Sequence, residues 1–87
     1  MPRYFFHTEN GDRIRDDQGE ERADADTART EAVTILGEIL RYRGASFWTT
    51  GAFSVVVTDA DGCTVVSVTA KASEAAPEGW TLADAGE

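Results

Sequence analysis

The chain has one cysteine, one histidine, one lysine and two prolines in 87 residues. A single cysteine cannot close an internal disulfide, so packing alone has to hold the fold, which suits a reducing, cytoplasmic setting. One His beside one Cys cannot supply the nitrogen and sulfur donors of a structural zinc site. No apolar run approaches the ~20 residues that cross a bilayer, and no signal-peptide pattern opens the chain. Nucleophile-elbow, P-loop and dinucleotide fingerprints are missing, and with them the usual signs of an enzyme or a cofactor. Positive charge is scarce as well. Eight Lys and Arg stand against 16 Asp and Glu, for a net charge of −8. Direct binding of nucleic acid, which needs a positive field along the phosphates, is not expected from such a chain.

What is present reads as one small α+β domain over residues 1–72, followed by an acidic, flexible tail over residues 73–87. Arg3-Tyr4-Phe5-Phe6-His7-Thr8 is aromatic-rich and predicts a strand. Asn10-Gly11 suits a two-residue hairpin turn, which sets Thr8 opposite Arg13, His7 opposite Ile14 and Phe6 opposite Arg15. Asp24 is placed as the N-cap of a helix whose Ala25, Ala28, Ala32, Ile35, Leu36 and Ile39 form one apolar stripe, widened by Leu40. Gly44 reads as the helix stop, and Gly37 as a point of close backbone approach. Phe53 to Thr58 and Thr64 to Ala70 predict a second hairpin around Asp59-Ala60-Asp61-Gly62. An even loop there puts Phe53, Val55, Val57, Val66 and Val68 on one face; an odd loop mixes the two sets. The expected order is ββαββ, an antiparallel sheet with one amphipathic helix on one face.

One helix covers one face of a four-stranded sheet. Tyr4 and Phe6, or else Phe5 and Ile14, then point away from the helix, because strand side chains alternate, and Val56 and Val65 lie on the second face of their hairpin. That arrangement predicts a contact surface, assigned to Tyr4, Phe6, Arg13 and Arg15 if their face is uncovered, with Phe47 and Trp48 next. The function expected is a non-catalytic accessory module that binds a protein, or a second copy of itself as a homodimer. The competing expectation is an acidic inhibitor or nucleic-acid mimic that engages a basic partner through Asp16, Asp17, Glu20 and Glu21. An enzyme ranks third: His7 faces Ile14 on a strand and reads as structural, and Cys63 has no cation near it in sequence to favour a thiolate. No catalytic, cofactor or metal residue is assigned. Asp59-Ala60-Asp61-Gly62 is read as a turn rather than a calcium loop, since no bidentate Glu follows. Trp80 and Leu82 stand out in the tail as candidates to dock on the domain.

Pro2-Arg3-Tyr4-Phe5-Phe6-His7 with Asn10-Gly11 and Asp16, then Asp24, Ala28-Arg29, Glu31-Ala32, Gly37, Leu40-Arg41, Phe47-Trp48 and Val57-Thr58-Asp59 with Gly62, resembles a small bacterial family of unknown function. That family is common in alphaproteobacteria, especially rhizobial relatives. The resemblance covers residues 1–72 and implies a small cytoplasmic bacterial protein. It carries over no catalytic residue.

Overall fold

A computed structural model describes residues 1–74 and residue 79. The elements are β1 (Arg3–Glu9), β2 (Arg13–Ile14), β3 (Glu20–Glu21), α1 (Ala25–Tyr42), α2 (Gly44–Thr50), β4 (Ala52–Thr58) and β5 (Thr64–Lys71). The sheet is antiparallel in the order β2-β1-β4-β5, and β3 also pairs with β1. Among the described residues the fold is α+β, with five strands and two helices.

α1 begins where the Asp24 carboxylate accepts the Thr27 N–H at 2.9 Å and the Thr27 hydroxyl at 2.8 Å. Its stripe lies as the sequence predicts: Ala28, Ala32 and Leu36 are buried, and Ile35, Ile39 and Leu40 pack beside them. Two expectations fail here. A Cβ on Gly37 would meet nothing within 4 Å, so no backbone comes close to it. Gly44 does not stop the chain in a left-handed turn but opens α2; the turn falls at Arg43, whose N–H donates to the Ile39 carbonyl at 2.8 Å. The left-handed cap comes seven residues later, at Gly51, with φ +91°.

Beneath α1 lie Phe53, Val55 and Val57 of β4, each fully buried, together with Tyr4 and Phe6 of β1. Full burial of such side chains stabilises by about 1.5–3 kcal/mol each. Phe47 of α2 meets Phe53 edge-on, with 4.9 Å between ring centroids.

Both hairpin loops differ from the even forms expected. Between β1 and β2, Thr8 pairs with Ile14 and Glu9 with Arg13. Asn10 donates to the Asp12 carbonyl, and Gly11 alone at the tip has a positive φ. A type I′ turn needs positive φ at both central residues. Asn10 is instead buried, and the hairpin register stands one residue off, with Ile14 opposite Thr8 rather than His7. Between β4 and β5 the loop is also odd. Gly62 (φ +84°) closes it by donating to the Asp59 carbonyl at 3.0 Å, while Asp59 and Cys63 join by a main-chain bond of 2.9 Å. The predicted facing still holds, with Val55 opposite Val68 and Val57 opposite Val66, because a bulge at Val65 absorbs the extra residue.

Candidate interaction surface

Alternation along β1 fixes which side chains face away from the helices. Tyr4 and Phe6 point into the core, only 7% and 8% exposed, so the condition under which they were assigned to a contact surface is not met. Phe5 and His7 take the opposite face. The register places Phe5 beside Thr58, and His7 beside Val56, which in turn pairs with Ser67. Among the described residues both helices lie on the other side of the sheet, and this second face carries Phe5, His7 and Val56, each half-buried.

His7 sits near the centre of this face and has both ring nitrogens engaged. The Asp16 N–H donates to Nδ1 at 3.0 Å, so Nδ1 carries no proton. The proton therefore lies on Nε2, which donates to the Thr58 hydroxyl at 3.0 Å. Three shallow depressions share His7 in their walls. One of about 290 Å³ includes Val56 and Arg13; one of about 210 Å³ includes Arg13, Ile14 and Arg15; one of about 200 Å³ includes Phe5 and Asp16. A larger depression of about 410 Å³ lies by Pro2, Ala25 and Asp59. Two of its polar side chains are engaged: Asp59 accepts the Asp61 and Cys63 amides, and Arg3 pairs with Glu21.

The loop of residues 15–19 forms one wall of the His7 surface. Partner numbers sum to 22 where β2 meets β1 and to 24 where β3 meets it, so the two short strands are one returning strand interrupted by two extra residues. The Asp16 carboxylate bridges the interruption, accepting the N–H groups of Phe6, Gln18 and Gly19, each at 3.0 Å. Partial burial by itself pushes this carboxyl upward, but the Gly19, Phe6 and Gln18 amides outweigh it and hold Asp16 below the ordinary carboxylate range. Gly19 is required at φ +70°: a Cβ there would stand 2.8 Å from the Tyr4 carbonyl oxygen and 2.9 Å from the Phe5 ring.

The remaining predicted surface residues lie apart from the buried pair. Arg13 and Arg15 are exposed at the rim, paired with Glu9 and Asp17 at 3.2 and 3.6 Å. Phe47 is half-buried against Phe53, and Trp48 is 61% exposed. Ile14, the alternative companion of Phe5 on the outward face, pairs instead with Thr8 on the helix side and is 50% exposed beside Arg13. The acids set aside for mimicry are engaged within the chain: Asp16 by amides, Asp17 by Arg15, Glu20 by Arg22 and Glu21 by Arg3. Cys63 is exposed beside the β4–β5 turn. Among the described residues, no three His, Cys, Asp or Glu side chains converge to hold a metal ion. Trp80 and Leu82 lie outside the described residues.

A profile for the Domain of unknown function (DUF6894) matches residues 3–71, which include every strand and helix described above. The chain belongs to this family. No curated protein and no solved structure matches it. The DUF6894 match carries no assigned activity, and among the described residues no helix is long and apolar enough to cross a membrane.

Proposed function

We propose that this DUF6894 domain is a non-catalytic, cytoplasmic protein-binding module of a bacterium, and that its contact surface is the sheet face opposite the helices. One observation carries the reading: both helices cover the same side, leaving Phe5, His7 and Val56 on a face that no described element covers. The surroundings fit a protein contact. Half-buried apolar groups occupy the centre, and Arg13 and Arg15 stand at the edge. Arg-rimmed, charge-depleted centres of this kind are characteristic of non-obligate interfaces. His7 fits a structural place on this face, since its Nδ1 lone pair accepts the Asp16 N–H and its Nε2 meets the Thr58 hydroxyl.

The competing reading, an acidic mimic, is weakened because the carboxylates it would use already have partners. Affinity capture with the full chain and a Val56→Lys variant, at low and high salt, separates the two. A partner retained at high salt by the wild type and lost by the variant supports the sheet-face reading. Partners that survive Val56→Lys but dissolve steeply with salt contradict it and favour mimicry.

A further inference from the structure

The two edges of the sheet are treated differently. Main-chain bonding alternates along each strand, and the bonds fix its phase. Ala72 N–H donates to the Gly51 carbonyl at 2.9 Å, so in the same register Ala70, Val68 and Val66 turn their main-chain groups toward β4. Ser67 and Thr69 therefore turn theirs outward. On β1 the outward groups belong to Tyr4, Phe6 and Thr8, and all three positions are met: by Glu20, by the Asp16 carboxylate and by Ile14. On β5, among the described residues, no strand meets Ser67 or Thr69.

We propose that β5 pairs antiparallel with β5 of a second copy about a two-fold axis, joining two sheets into one. This rests on the protein-binding reading above and names a partner and a second contact for it. The register centres on Val68, so that Val68 of the two copies meet on the helix side. Ser67 of each copy exchanges main-chain bonds with Thr69 of the other. An even register of this kind keeps like faces together, whereas a slip of one residue would set Val68 against a hydroxyl.

Three features favour a second copy as the occupant. The run Val66–Ala70 contains no charge, proline or glycine, and the Val65 bulge and Lys71, which blunt an edge, stand only at its two ends. No acidic residue lies between Asp61 and Glu74, so this is the edge at which two chains of charge −8 meet with least repulsion. The hydroxyl pair Ser54–Thr69, already joined at 2.8 Å across β4 and β5, continues into Ser67 of the second copy as one polar row. Antiparallel pairing of identical strands also closes on itself, giving a dimer rather than a filament.

Amide hydrogen exchange on the full chain over a range of concentrations, beside sedimentation velocity, tests this. The expected result is a dimer in which protection of the Ser67 and Thr69 amides rises at least about tenfold from dilute to concentrated protein. Ser67→Pro removes an outward donor and leaves the β4 ladder intact; it should weaken the dimer at least about tenfold with an unchanged circular dichroism spectrum. Protection of both amides that does not vary with concentration would mean that the chain covers its own edge, and overturns the proposal. So does a monomer with both amides unprotected at every concentration. A dimer with these amides unprotected overturns edge pairing while leaving the sheet-face reading standing. If Ser67→Pro fails to fold, the wild-type exchange data decide alone.

Discussion

The Asp16 carboxylate accepts the main-chain N–H of Phe6 at 3.0 Å, at the one outward position on β1 that neither short strand reaches. A side chain stands there in place of a strand, while the Asp16 N–H reaches across to His7 on the open face. One residue thus closes an edge and shapes one side of the surface around His7.

Replacing Asp16 with Ala should leave the Phe6 amide without its partner and free the 16–19 turn. Loss of charge-assisted bonds of this type costs about 2 kcal/mol. Chemical denaturation should show that loss, and exchange at the Phe6 amide should accelerate more than at Val57.

Acid should act through the same group. Asp16 and the helix cap Asp24 are both held below the ordinary value of 3.8, Asp24 by the Thr27 N–H and hydroxyl. A carboxyl lowered on folding contributes stability that is complete above the unfolded value and is lost as pH falls through the folded one. Thermal melts should therefore hold steady as pH falls toward 3.8 and decline below it. Asp16→Asn should be less stable near neutral pH and show a shallower acid decline.

The glycines divide sharply. Gly19→Ala forces a Cβ against the Tyr4 carbonyl and the Phe5 ring at a positive φ, and should destabilise by about 1–3 kcal/mol. Gly37→Ala, in open space on α1, should stabilise by about 0.5–1 kcal/mol. Melting temperatures of the two variants should move in opposite directions.

The periodic elements were legible in the sequence because their pattern is local. The stripe from Ala28 to Leu40 and the alternation from Phe53 to Val57 each encode their own buried side. Hairpin details were not legible in the same way. An even loop and an odd loop with a bulge at Val65 produce the same facing of Val55 against Val68, so the pattern cannot tell them apart. Asn10-Gly11 suits a two-residue turn, yet Asn10 is buried in a three-residue loop, and burial is a tertiary property. α2 escaped because Gly44 suits a helix start as well as a stop. The aromatic surface had two solutions, and the packing of Tyr4 and Phe6 under α1 selected the one that presents Phe5 and His7. The Asp16-Asp17-Gln18-Gly19 spacing carried the one overlooked signal, an aspartate whose carboxylate meets the amides two and three residues on. Its bond to Phe6 lies ten residues back along the chain and has no local signature.

The state of the His7 ring gives a check on this wall. Nitrogen chemical shifts should show the proton on Nε2, directed at Thr58. Asp16→Pro, which removes the donor to Nδ1, should abolish that preference.

Among the described residues the sheet is covered from one side only. A soluble paramagnetic probe added to the dilute full-length chain measures this methyl by methyl along β4. The Val56 methyls should relax strongly, while those of Val55 and Val57, buried under α1, should scarcely respond. Equal shielding of all three valines would show that the chain covers its own second face, and would contradict the assignment of that face to a partner.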